Sequence, residues 1–156
     1  MKPALKLIIS LAIPLAIGAI GGFFSASSVN SWFTTLHKPS FNPPVWIFFP
    51  VWTVLYILMG IAFFLVWNHH AKLEKKYTAY TYYFLQLALN LLWSFLFFYF
   101  HHIGQALADI ILLFLLITGT ISSFRKISKT AAWLLVPYLL WVGFALLLNL
   151  QIWRLN

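Results

Sequence analysis

Five apolar runs, each about 20 residues long, constrain this chain more than any other feature. They fall at residues 5–24, 44–67, 77–100, 104–124 and 131–153. A bilayer core roughly 30 Å thick needs about that length at a helical rise near 1.5 Å per residue. Backbone groups in lipid must bond within their own segment, and strand alternation is absent from all five runs, so each is read as a helix. The expected fold is an all-α membrane protein: one domain over residues 1–156, a five-transmembrane-helix bundle, with residues 25–43 as a long loop. Composition agrees, since only 8% of residues are charged and 63% are hydrophobic. A soluble surface needs about 25% charged residues.

The first run imitates a secretory signal, with Lys2 and Lys6 at its start and Ser25-Ala26-Ser27 after it. Its length exceeds that of a usual signal core, so it is read as a retained span. Pro14 should kink this helix unless a neighbour re-satisfies the carbonyl that it frees. Gly18 and Gly22 form a GxxxG pair, open to intramolecular packing or to a dimer contact.

Charge sets the orientation. The N-terminus and the loops after the second and fourth runs hold Lys2, Lys6, Lys72, Lys75, Lys76, Arg125, Lys126 and Lys129, eight of the ten basic residues. The other side has only Lys38 and Arg154. In a bacterial cell membrane this asymmetry puts the N-terminus in the cytoplasm and the first loop outside. The net charge of +8 is no nucleic-acid footprint, because no basic residue sits in an aromatic-interleaved stripe. The chain has no Cys, which excludes disulfides and thiolate sites.

The loop after the first run is stiffened by Pro39, Pro43 and Pro44, which fix φ and donate no hydrogen bond. Pro44 suits the first turn of the second helix, with Asn42 as its cap. That helix carries Trp52, Tyr56 and Met59 on one face. Gln86, Asn90, Trp93 and Phe97 share a face of the third helix, and Pro137, Trp141, Ala145 and Asn149 a face of the fifth. Trp52, Trp93, Trp141, Asn90 and Asn149 all fall in the membrane half beneath the proline loop. Amides within a span avoid lipid, so these faces are expected to converge on a cavity. Apolar and aromatic walls with a few placed polar groups suit a flat, hydrophobic small molecule.

Asp109 lies about five residues inside the fourth helix, roughly 8 Å at helical rise. An intramembrane carboxylate is a functional candidate by default; the alternatives are a hydrogen bond to a neighbouring helix or a neutral acid. Glu74 is read as solvated in the basic second loop. Catalytic signatures are missing: no paired carboxylates, nucleophile elbow, phosphate-binding glycine loop or zinc spacing. His37, His101 and His102 share the loop side and are read as headgroup-level anchors rather than as metal or haem ligands.

Three motifs, in order, carry a family resemblance. They are KPSFNPPVWIFFPVWTVLY at 38–56, QLALNLLWSFLFF at 86–98 and AWLLVPYLLWVGFALLLNLQIWRLN at 132–156, with GQALAD opening the fourth run. The chain resembles the translocator protein (TspO/MBR) family, also called tryptophan-rich sensory proteins or peripheral-type benzodiazepine receptors. The resemblance implies a five-helix bundle, often a homodimer, with a pocket under the first loop. It implies binding of porphyrins such as protoporphyrin IX, with haem a further possible ligand, and no required cofactor. By position it implies ligand contacts from Trp52, Tyr56, Asn90, Trp93, Pro137, Trp141, Ala145 and Asn149, under a lid of Pro39, Phe41, Pro43 and Pro44. Trp52 and Trp141 match the tryptophans associated with porphyrin breakdown in bacterial members. A light- and oxygen-dependent enzyme is therefore a second reading, and a ligand-free structural partner in a membrane complex a third. Phe41 stands where the family usually has Trp. The cholesterol motif of animal members is incomplete, with no Tyr close before Arg154, which leaves sterol binding without its motif.

Overall fold

The computed structural model describes all residues, Met1–Asn156, and contains only helices and loops. The helices are α1 (Pro3–Val29), α2 (Phe48–Trp67), α3 (Leu73–Ser94), α4 (Ile103–Arg125), α5 (Lys129–Leu134) and α6 (Val136–Leu155). Each of the five apolar runs forms a helix long enough to cross a membrane, the fifth made of α5 and α6 together. In cross-section α1 packs on α2 and α3, α4 packs on α3 and α6, and α2 lies close to α5 but keeps its backbone away from α6, which it reaches through aromatic side chains. That last gap determines where the cavity lies.

Several boundaries differ from the sequence reading, each for a local reason. Helix α1 continues to Val29, into residues expected to be loop. Its terminal serines hide their polarity inside the helix: Ser25 Oγ donates to the Gly21 carbonyl at 2.6 Å, one turn back. Glu74 is in the first turn of α3 rather than in a loop, where a carboxylate complements the positive end of the helix. Helix α3 ends in a π-helical turn, Phe95–Tyr99, in which Phe100 N–H donates to Phe95 O at 2.8 Å. The fifth span is broken at Leu135, two residues before Pro137, whose missing N–H cannot continue the ladder. Asn42 does not cap α2 and Pro44 is not in its first turn. Pro44 precedes a short 3-10 turn, Val45–Ile47, and α2 begins after it.

Helix α1 runs unbroken through Pro14. Pro14 leaves the Ser10 carbonyl without its i+4 donor. Helix α2 comes up against that carbonyl at Gly60, where an added Cβ would lie 2.7 Å from Ser10 O and 2.9 Å from Leu11 Cα. Only a residue without Cβ permits this backbone-to-backbone approach.

The half of the bundle farthest from the proline loop is solid. Met59, Ala62, Val66, Tyr83, Phe124 and Leu135 are among its fully buried residues. Tyr83 stacks between Phe63, at 4.7 Å, and Phe124, at 5.7 Å, and its hydroxyl donates to Met59 O.

Candidate ligand cavity

At the loop end, where α6 diverges from α2, the bundle encloses a cavity of about 570 Å³. Pockets that bury drug-sized ligands run from about 300 to 1,000 Å³. Trp52 and Tyr56 of α2, Trp93 of α3, Phe97 of the π-helical turn that follows, and Trp141 and Asn149 of α6 all line it. Ala145 lines it as well. The lining includes no acidic, basic or histidine side chain.

The aromatic walls are held in place by one another. Trp52 stacks on Tyr56 at 5.6 Å and meets Tyr138 edge-on at 6.3 Å. Trp141 packs against Phe48 and Phe144 at 6.0 and 5.5 Å. Trp93 stacks on Phe97 at 5.4 Å, a ring presented by the π-helical turn. The Trp93 indole N–H donates to Asn149 Oδ1 at 3.0 Å, and Asn149 Nδ2 donates to Ile103 O at 3.1 Å. Asn149 therefore ties α3, α4 and α6 together at the wall. The Trp141 indole N–H is buried and finds no acceptor in the protein, and Asn42 Oδ1 is likewise buried without a donor. Both residues line the cavity. Such unmet groups are costly in apolar surroundings.

Beneath the cavity a directed chain of hydrogen bonds closes the floor. Tyr56 Oη donates to Asn90 Oδ1 at 2.7 Å, and Asn90 Nδ2 donates to Tyr138 Oη at 2.9 Å. Tyr138 Oη donates to Gln86 Oε1 at 2.7 Å, and Gln86 Nε2 points to the Met59 sulfur at 3.9 Å. Asn90 belongs to this floor, not to the lining; its amide is spent on two tyrosines. Helical periodicity put it on the right face but cannot report whether open space lies in front of it. Pro137 is outside the cavity altogether, exposed on the outer surface of α6 at the break that it causes.

The lid also differs in detail. Pro39, Phe41, Pro43 and Pro44 do not line the cavity; Asn42, Val45 and Trp46 from the same stretch do. The prolines shape the loop instead, with Asn42 N–H closing a turn onto Pro39 O at 3.1 Å. Phe41 leans on Phe144 at 6.1 Å. The loop is stapled to the chain end by a reciprocal pair: His37 N–H donates to Asn156 Oδ1 at 3.1 Å, and Asn156 Nδ2 to His37 O at 2.9 Å.

Sequence reasoning missed the α1 wall. Gly18, Gly22, Ser25 and Ala26 line the cavity, and Phe33 from the following 3-10 turn joins them. The GxxxG pair was the available signal. Its two glycines have different surroundings. Gly18 is covered by the Tyr56 ring, 2.5 Å from where its Cβ would stand, whereas Gly22 has nothing within 4 Å. Ala19, Gly22 and Ala26 are exposed on the outer surface of α1, as are Trp46 and Phe49 of the facing segment, at 72% and 79%. All five line the cavity, so it opens sideways between α1 and α2.

Asp109 and the three loop-side histidines lie elsewhere. Asp109 is buried in α4, and neither carboxyl oxygen has a hydrogen-bond partner, so the interhelical bond considered for it is absent. The three loop-side histidines do not converge. His101, at a left-handed φ of 59°, stacks on Trp32 at 4.0 Å with Ser28 Oγ 3.2 Å from Nε2. His102 Nδ1 is 3.0 Å from Gln105 Oε1, and His37 engages Asn156 through its backbone.

The spans and the cavity define a class: an integral membrane protein of five transmembrane helices with an aromatic chamber at one end of the bundle. Within that class the chain belongs to the TspO/MBR family, which it matches over residues 10–154. It is 42% identical over 155 residues to the tryptophan-rich protein TspO of Chlorobaculum tepidum, covering 99% of this chain and 98% of that one. It is 43% identical over 152 residues to the tryptophan-rich protein TspO of Archaeoglobus fulgidus, covering 97% of each. The translocator protein of Homo sapiens is 38% identical over 138 residues, covering 88% of this chain and 82% of its own.

Proposed function

We propose that this chain binds porphyrins, or related flat hydrophobic ligands, in the aromatic cavity and acts in their transport, sensing or turnover. The observation that carries this reading is the pairing of Trp52 and Trp141, from α2 and α6, in one apolar chamber of about 570 Å³. Indole faces offer stacking surface to a planar ring. An uncharged lining favours the apolar face of a porphyrin and leaves its carboxylates to point toward the mouth. No histidine lines the chamber, so haem would gain no axial imidazole there, and the metal-free ring suits it equally well.

Titration with protoporphyrin IX in the dark, followed by tryptophan fluorescence, tests the proposal. Saturable quenching is expected. Replacing Trp52 and Trp141 together by Phe should weaken binding about tenfold, as each indole face gives way to a smaller ring and loses about 0.7 kcal/mol of stacking and apolar contact. Unchanged affinity in the double variant would remove both residues from the site.

A second reading rests on the same side chains. Trp52, Tyr56 and Trp141 are oxidisable and line the cavity, while no acid or base does. Any turnover there would draw its reactivity from light absorbed by the ligand and from dissolved oxygen. Loss of porphyrin absorbance under light, faster with the protein than without it and slowed by Trp52→Phe, would support it; equal decay with and without protein would exclude it.

The eight-to-two division of basic residues supports an orientation with the N-terminus in the cytoplasm of a bacterial cell and the proline loop outside. The chain lacks cysteine, so single Ser40→Cys and Lys126→Cys variants can be labelled with an impermeant maleimide on intact spheroplasts. Labelling at position 40 alone is expected, and the reverse pattern would invert the topology.

A further inference from the structure

The end of the bundle away from the cavity is where basic residues collect, and two of them behave differently from the rest. Lys2, Lys72, Lys75, Arg125, Lys126 and Lys129 are exposed, whereas Lys6 and Lys76 are half-buried. Both are gathered on one residue, Trp67, the last of α2. Lys76 Nζ folds back nine positions to donate to the Trp67 carbonyl at 2.9 Å. Lys6 Nζ stands over the Trp67 ring, 5.7 Å from its centre. The first contact is a helix C-terminal cap by a cation and needs no ligand. It does not account for a second ammonium held at the indole of the same residue. Like charges brought together repel, and the only acid at this end, Glu74, is exposed on α3.

We infer that Lys6, Lys76 and Trp67 form a headgroup site for one anionic phospholipid, at the junction where the N-termini of α1 and α3 meet the C-terminus of α2. A phosphodiester between the two ammonium groups would offset their repulsion. Lys76 has two N–H donors left after its carbonyl contact, and the Lys6 ammonium makes no hydrogen bond within the protein. Tryptophan at this level is an interfacial anchor. The flanking surface points to a lipid rather than a free phosphate: Leu5 of α1, next to Lys6, and Leu73 of α3, one turn before Lys76, are exposed, where acyl chains would lie. The site is independent of the aromatic cavity and does not depend on what binds there.

Native mass spectrometry of the full chain, loaded with phosphatidylglycerol or phosphatidylcholine, tests the site. Wild type should retain phosphatidylglycerol in preference to phosphatidylcholine. The pair Lys6→Gln and Lys76→Gln should reduce that preference about tenfold, whereas Lys2→Gln and Lys129→Gln, an equal charge loss nearby, should change it about twofold or less. Should loss of the α2 cap unfold the double variant, Lys6→Gln alone removes no hydrogen bond and should lower the preference about threefold. Equal losses from the two pairs would overturn the site in favour of diffuse charge. Displacement of the lipid by inorganic phosphate, at matched ionic strength, would overturn the lipid assignment.

Discussion

The two halves of the bundle use the same kinds of residue to opposite ends. Away from the proline loop, aromatics such as Tyr83 and Phe124 are stacked and sealed, and α2 lies directly on α5. Beneath the loop, α2 and α6 part, and Trp52, Trp93 and Trp141 face a chamber. Aromatic content therefore does not distinguish a core from a site in this chain; helix divergence does. The boundary is the hydrogen-bonded row of Tyr56, Asn90, Tyr138 and Gln86, which satisfies its own polar groups and lets the chamber end without opening the core.

The comparison breaks first if the solid half loses its closest contact. Gly60→Val would drive side-chain atoms into the Ser10 carbonyl and the Leu11 backbone, neither of which can rotate away. A loss of at least about 3 kcal/mol is expected, read as a large drop in thermal midpoint in detergent, with cavity binding lost alongside the fold. A midpoint near wild type would mean that α1 and α2 slide apart freely. The floor is the next test. Asn90→Leu strips the acceptor of Tyr56 and a donor to Tyr138, both buried. About 1–3 kcal/mol of stability should go. Because Tyr56 is also a cavity wall, ligand affinity should fall even though Asn90 itself does not line the chamber. Unchanged affinity would show that the floor and the wall are independent.

Much of this architecture is legible in the residues, for reasons that differ between features. Hydropathy finds five spans because lipid allows no other backbone solution. Depth and helical periodicity bring Trp52, Trp93, Trp141 and Asn149 to one level and one side. What they cannot supply is the distance between helices. Asn90 sits on the expected face yet is sealed into the floor, and Pro137, expected on the cavity face, is turned to the outside. The α1 wall is hidden for the opposite reason. Gly18, Gly22 and Ser25 have almost no side chain to mark a surface, and a cavity wall of small residues reads as a packing face. The break at Leu135 follows from the missing N–H of Pro137, two residues on.

The smallest effects carry the sharpest comparison, because they separate two glycines one turn apart on α1. Gly18→Ala would put a methyl group 2.5 Å from the Tyr56 ring, which is pinned by its bond to Asn90 and by the Trp52 stack. About 1–2 kcal/mol of destabilisation is expected, together with weaker porphyrin quenching as Tyr56 shifts. Gly22→Ala meets nothing within 4 Å. It removes a helix-interior glycine at no steric cost, so stability should hold or rise by up to about 1 kcal/mol. Extending Gly22 to Phe then narrows the sideways opening between α1 and α2 without touching the packed half. Slower porphyrin uptake from vesicles, at an unchanged thermal midpoint, is the expected result. If Gly18→Ala and Gly22→Ala gave the same change in midpoint, α1 would be a uniform packing surface, and the division of the bundle into a solid half and an open one would not extend to its first helix.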